Sequence, residues 1–132
     1  MRKGESPQMR ATADQPDFSL GKSKRLIRSS DFATVREKGR TVRGNLMMLG
    51  VMVGKDVQSF RAGFVTSRRV GIAVVRNRIR RRLRDIVRLH QADLPQELWI
   101  VTIARSGAAH ASYQELRDEW LRLAKRASIL AP

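Results

Sequence analysis

Residues 76–84 carry the strongest chemical signal in the chain, because six of these nine positions are arginine. The segment is Arg-Asn-Arg-Ile-Arg-Arg-Arg-Leu-Arg, and the only acidic residue between Arg61 and Arg88 is Asp85. Arginine stays protonated at physiological pH, and its planar guanidinium carries five donors that fit phosphate oxygens. Charged helix faces that are merely solvated normally alternate in sign, whereas these charges repel one another. The pattern therefore predicts a surface that binds a polyanion, and nucleic acid is the simplest candidate.

The composition of the whole chain supports the same interpretation. Its 27 Lys and Arg residues against 12 Asp and Glu residues give a net charge of +15 over 132 residues. A nucleic acid would neutralise a charge that otherwise opposes the compact state. The chain has no cysteine, so disulfides and thiolate metal sites are excluded. It also lacks an apolar run long enough to span a membrane, and we expect a cytoplasmic protein without membrane contact.

Catalytic groups of the protein's own are not predicted. A protein nuclease would cluster carboxylates for metal ions or place two histidines close together. The acidic residues are dispersed, and the two histidines are His90, near a predicted helix end, and His110, in a predicted loop. The sequence thus favours a binding protein over a self-sufficient enzyme.

The domain organisation follows from the distribution of apolar residues. Residues 1–17 mix proline, glycine and charges of both signs without an apolar period, so we expect a flexible N-terminal tail. All periodic apolar segments lie in residues 18–132, and we predict that these residues form a single domain.

The helix that would present the arginines is predicted over Val74–Gln91. Apolar residues recur there at spacings of four, four and three, which is typical of an amphipathic helix that buries one stripe. The stripe consists of Val75, Ile79, Leu83 and Ile86. Arg76, Arg80 and Arg84 flank it on one side, Arg78 and Arg82 on the other, and Arg81 and Arg88 point away from it.

Other segments predict the elements that support this helix. A short first helix contains Phe32 and Val35 and ends at Gly39. Residues 45–53 and 60–66 predict an antiparallel strand pair, and a further short strand is expected near Thr41. Residues 98–104 predict a buried strand, and Ser112 with Glu115 predicts a capping box that opens a last helix.

The motif around the arginines resembles a known family. Ser67-Arg68-Arg69-Val70-Gly71, followed by residues 73–81 and Arg84, is similar to the "RNR" signature of the bacterial ribonuclease P protein subunit. Upstream, residues 18–26, 30–32 and 39–40 resemble the N-terminal pattern of that family, and downstream residues 99–105 and Tyr113 resemble its last strand and helix. The resemblance covers about residues 18–127.

The resemblance implies a particular fold. It implies an α+β two-layer sandwich of the type seen in domain 2 of ribosomal protein S5. The order would be helix, strand, strand, helix, strand, helix, with the extra short strand after the first helix. It also implies a left-handed crossover through the arginine helix, against the usual preference for right-handed connections.

The resemblance also implies partners and site residues. The protein would bind the catalytic RNA of ribonuclease P and precursor tRNA, need no protein partner, and assist removal of the 5′ leader. The Mg²⁺ ions would be held mainly by the RNA and the substrate. Contacts to the catalytic RNA would come from Arg68, Arg69, Arg76, Asn77, Arg78, Arg80, Arg81 and Arg84. The leader would lie in a cleft lined by Phe32, Met47 and Ser67.

Two other functions remain open from the residues alone. A basic surface equally fits a ribosomal or structural RNA-binding protein that takes no part in catalysis. A DNA-binding protein could insert the arginine helix into a major groove. A base-reading helix usually interleaves Asn, Gln and Ser with Arg, however, and Asn77 alone gives little support for that alternative.

Overall fold

The computed structural model describes residues 29–54, 57 and 59–131. Its elements are α1 (Ser29–Lys38), β1 (Arg40–Arg43), β2 (Met47–Val53), β3 (Arg61–Thr66), α2 (Ala73–His90), β4 (Leu98–Ala104) and α3 (Tyr113–Arg126). This α+β order confirms the predicted one, including the short strand at Thr41. The predicted tail, residues 1–17, and the resemblance at residues 18–26 lie outside the described residues.

The four strands form one mixed sheet in the order β1-β2-β4-β3. Strand β2 is antiparallel to both β1 and β4, whereas β3 is parallel to β4. The predicted antiparallel pair of residues 45–53 and 60–66 is therefore wrong, because β4 lies between the two segments. Strand β4 has apolar side chains on both faces, which favours a central position in a sheet.

Helix α2 connects β3 to β4, since two adjacent parallel strands require a crossover connection. Its predicted stripe is confirmed, because Ile79, Leu83 and Ile86 are each 0% exposed. Helix α3 packs beside α2 and against β2 and β1. It begins with the predicted capping box, in which the Glu115 amide donates to Ser112 Oγ at 3.1 Å and the Ser112 amide donates to Glu115 Oε1 at 2.8 Å. Together α2 and α3 cover one face of the sheet.

Helix α1 covers the opposite face. Its Val35 is buried in a separate small core with Met52, Val57 and Val101. Gly50 allows this approach, since a Cβ atom there would lie 3.2 Å from Val35 Cγ1. Because helices lie on both faces, the predicted two-layer arrangement is incomplete.

In the described part of the chain, no helix is long and apolar enough to cross a membrane.

Candidate nucleic-acid interface

Helix α2 presents its arginines around the buried stripe. Arg81 and Arg88 are exposed, as predicted for residues that point away from the sheet. The other arginines of the segment are half-buried, because their aliphatic stems lie along the edges of the apolar stripe. These half-buried residues are Arg76, Arg78, Arg80, Arg82 and Arg84.

One edge of the helix forms a shallow open depression of about 470 Å³. Arg80 is held in place there, because its guanidinium donates to Thr66 Oγ1 at 2.7 Å and to Asn77 Oδ1 at 3.0 Å. A guanidinium that is already oriented loses less conformational entropy when it binds phosphate. The residues that line the depression are Val74, Asn77, Arg80, Arg81 and Arg84. Four of the predicted RNA-contacting residues are thus brought together on one surface.

The arginines on the other edge of α2 form hydrogen bonds within the protein. Arg78 donates to the Ala109 carbonyl at 3.2 Å, and Arg82 donates to the Ala111 carbonyl at 3.3 Å. Both carbonyls lie between β4 and α3, so these bonds fix the position of α2 relative to α3. The predicted RNA contact of Arg78 stays a prediction, and the structure separates this residue from the depression.

The loop before α2 places two more guanidiniums near the N-terminus of the helix. Arg68 and Arg69 are exposed in a short 3₁₀ turn that is anchored by Val70, which is buried. Gly71 then turns the chain into the helix with a φ of +153°, a conformation that glycine adopts at little cost. Because the turn is anchored on the core, both arginines are held beside the start of α2.

A cleft of about 320 Å³ lies on the opposite face, between α1 and the sheet. Phe32 lines it, as predicted, and Arg36 and Arg43 place two guanidiniums in its wall. The remaining lining residues are Val35, Thr41, Met48, Gly50, Val65, Val101 and Ile103. The cleft therefore combines an aromatic ring, an apolar floor and positive charge, which is the combination that binds single-stranded RNA.

Two predicted cleft residues lie elsewhere. Met47 is 0% exposed in the main core, on the face of the sheet that α2 and α3 cover. Because successive side chains of a strand point to opposite faces, its neighbour Met48 faces the cleft instead. Ser67 is exposed just beyond the end of β3, outside the set of lining residues. The lining arginines Arg36 and Arg43 were not predicted from the sequence.

Comparison with known proteins identifies the family. The family model described as Ribonuclease P matches residues 20–128. The chain belongs to the ribonuclease P protein family. The ribonuclease P protein component of Acidothermus cellulolyticus is 48% identical over 103 residues, which cover 77% of this chain and 86% of that protein. The component from Syntrophomonas wolfei is 33% identical over 112 residues, covering 85% and 93% respectively.

Solved ribonuclease P proteins share the fold. The Staphylococcus aureus ribonuclease P protein superposes with a TM-score of 0.76 at 26% identity, covering 83% of this chain and 99% of that one. The Thermotoga maritima ribonuclease P protein gives a TM-score of 0.67 at 26% identity, over 77% and 96% of the two chains. The ribonuclease P family match includes every described helix and strand, so both the arginine helix and the cleft belong to the region that the family shares.

The titratable groups of this ribonuclease P family member are spread over the fold. His90 ends α2 and stacks on Trp120 with 5.8 Å between ring centroids. Burial lowers the pKa of His90, and the positive charge of Arg117 lowers it further. His110 is exposed in the turn before α3. Among the described residues, no three His, Cys, Asp or Glu side chains come together in a way that could hold a metal ion.

Proposed function

We propose that this chain is the protein component of ribonuclease P, which binds the catalytic RNA and the 5′ leader of precursor tRNA and assists the removal of that leader. The observation that carries the proposal is the guanidinium surface of α2, which lies within a family match over residues 20–128. A cytoplasmic location, where tRNA is matured in bacteria, is part of the same proposal. The protein would act without a further protein partner.

Helix α2 is the surface that we assign to the catalytic RNA. Folded RNA presents closely spaced phosphates, and each phosphate that a guanidinium neutralises releases counterions. The contacts are assigned to the predicted residues Arg68, Arg69, Arg76, Asn77, Arg78, Arg80, Arg81 and Arg84. The depression around Arg81 is the centre of this surface, since four of these residues line it.

The cleft beside α1 is the surface that we assign to the leader. A single strand exposes its bases, which stack on aromatic rings, while its phosphates follow positive charge. Phe32 would supply the ring, and Arg36 and Arg43 would supply the charge. Ser67 stays a predicted contact near the end of β3, and Met48 replaces Met47 as the methionine that can contact a base.

Cleavage itself is assigned to the RNA. The Mg²⁺ ions would be held mainly by the catalytic RNA and the substrate, whose phosphate oxygens are the ligands that Mg²⁺ prefers. The protein would then act by positioning two polyanions and by reducing their repulsion. This reduction favours substrate binding when Mg²⁺ is scarce.

The finer description of the fold belongs to the same proposal. Membership in the family supports the type seen in domain 2 of ribosomal protein S5. It also supports a left-handed β3-α2-β4 crossover. That hand would place α2 beside α3, on the face of the sheet opposite the cleft assigned to the leader.

Reconstitution with the cognate catalytic RNA and precursor tRNA tests the proposal. At low Mg²⁺ concentration we expect the chain to accelerate 5′ cleavage, measured by gel analysis of end-labelled substrate. Arg81→Gln should weaken binding of the catalytic RNA, whereas Lys125→Gln, which removes an exposed charge from α3, should have little effect. Binding of the RNA without any change in cleavage would instead indicate the ribosomal or structural alternative.

A further inference from the structure

Helix α2 begins with two large apolar side chains that the described residues of the protein leave exposed. Ile72 is 72% exposed and Val74 is 70% exposed, and Ala73 between them is also exposed. They are the most exposed large hydrophobic side chains in the described part of the chain, ahead of Val53 and Leu89. We call these three residues, which are neighbours in sequence, the apolar patch, and exposed apolar side chains that are rimmed by polar residues mark a surface for contact with another molecule.

The surroundings of the patch determine what that molecule can be. Arg68 and Arg69 are exposed immediately before it, and Val74 lines the same depression as Arg81. The first turn of α2 contains no acidic residue. A partner for this patch must therefore carry negative charge around an apolar surface, and charge complementarity favours RNA over a second copy of this basic chain.

The start of α2 is also unfavourable for the free helix. Ile72 occupies the N-cap position in an extended conformation, with φ −70° and ψ 168°, and no side chain of the described residues caps the helix there. Serine, threonine, aspartate or asparagine at this position would cap the first amides. An exposed isoleucine at this position neither caps the helix nor packs in the core. Its presence is explained if Ile72 contacts another molecule.

Only one part of an RNA offers the complementary surface. Phosphates and riboses are strongly hydrated, and base faces inside an A-form duplex are covered by their neighbours. Unpaired bases at loops, bulges and helix ends expose their flat apolar faces. Resting on the proposed function, we propose that Ile72 and Val74 pack against the faces of unpaired bases in the catalytic RNA, while the neighbouring arginines bind its phosphates.

Salt dependence separates the apolar contact from the ionic contacts. The double variant Ile72→Ser/Val74→Ser should bind the catalytic RNA about ten-fold more weakly, because buried apolar area is lost. The slope of log affinity against log salt should stay unchanged. Arg81→Gln should instead lower the magnitude of that slope by about 0.7 to 0.9, the value for one phosphate. Filter binding over a salt series measures both quantities.

Leu89→Ser is the matched control, since Leu89 is 53% exposed near the other end of the same helix. This variant should bind like the wild type. Val74→Ile, which keeps an apolar side chain, should also retain affinity. The double variant should melt no lower than the wild type, because the new serine at position 72 can cap α2. A weaker affinity in a fully folded variant then reports the lost contact itself.

Several results would overturn the inference. Wild-type affinity of the double variant would do so, as would a loss accompanied by a reduced salt slope, which would mean that phosphates and not bases were affected. A change in oligomeric state by sedimentation with unchanged RNA affinity would assign the patch to a protein contact. If the wild-type chain fails to bind the catalytic RNA, the proposed function fails as well. A wild type that binds and supports cleavage beside an unaffected double variant refutes only the base contact.

Discussion

Met47 and Met48 show how far single residues can be assigned from the sequence. Both lie in a nearly continuous apolar run, so the alternation that normally separates a core face from an open face is hidden. The structure buries Met47 under α3 and α2 and turns Met48 to the cleft. Phe32, by contrast, does line the cleft in which the resemblance implied an aromatic ring, and its contact with the leader stays a prediction.

Phe32 also gives the prediction at this scale. If its ring stacks on a leader base, Phe32→Leu should weaken binding of leader-bearing precursor tRNA to the holoenzyme by about 1 to 3 kcal/mol and leave mature tRNA unaffected. Trp99→Leu is the control, since Trp99 belongs to the same small core but is not a lining residue of the cleft among the described residues. Equal losses for both RNAs would show that Phe32 only packs the core.

Among the elements, α3 both covers the sheet and binds the turn between β1 and β2. Its Glu119 has a side chain that is only 4% exposed and reaches the turn between β1 and β2. Glu119 Oε2 accepts hydrogen bonds from the backbone amides of Leu46 at 2.5 Å and Met47 at 3.0 Å. Gly44 leaves room for it, because a Cβ atom there would lie 2.7 Å from Oε2. This carboxylate therefore joins α3 to the hairpin whose β1 residues Thr41 and Arg43 line the cleft.

Glu119→Ala should lower the free energy of unfolding by about 2 to 4 kcal/mol, because two amides lose a charged acceptor in a buried site. Glu119→Gln should cost less, since one amide oxygen remains to accept. Asp118→Ala, an exposed acidic neighbour on the same helix, should change the free energy by no more than about 0.5 kcal/mol. Urea denaturation measures all three, and similar values for Glu119→Ala and Asp118→Ala would contradict a stabilising role for the Glu119 carboxylate.

The residue bounds of the helices and strands were predictable from the sequence, whereas the order of the strands in the sheet was not. The apolar period predicted α2 within one residue at each end, and the apolar run predicted β4 over its full length. The order of strands depends on which apolar segment is buried from both sides, and residues 45–53 and 98–104 look alike in this respect. Glu119 had no sequence signal, because an acidic residue in an amphipathic helix normally faces solvent.

At the scale of the whole molecule, the sheet separates two basic surfaces. Helix α2 faces outward on one side, and the cleft with Arg36 and Arg43 opens on the other. Two RNAs could therefore be held without competing for the same guanidiniums. The cost is a net charge of +15, which opposes folding of the free chain. The charge of the molecule was fully readable from the sequence, and the resemblance implied two separate surfaces, but their placement on opposite faces of the sheet required the structure.

This charge predicts how the free protein responds to salt. Its melting temperature should rise from about 0.05 M to about 0.5 M salt, because screening reduces the repulsion among the arginines. Arg81→Gln should raise the melting temperature at low salt and reduce the response, since its charge adds to the repulsion on α2. Circular dichroism at several salt concentrations measures both. A melting temperature that falls with salt would show that ion pairs dominate instead.

The central place of β4 has a consequence for how the chain folds during synthesis. Among the described strands, β3 pairs with β4 alone, so this pairing cannot be completed until residue 104 has left the ribosome. The buried stripe of α2 is likewise synthesised before β4, the strand that completes the sheet on which α2 packs. Folding is therefore deferred to a late cooperative step. Until then the arginine segment is exposed as a nascent cationic chain, which is attracted to the nearby ribosomal RNA by its charge.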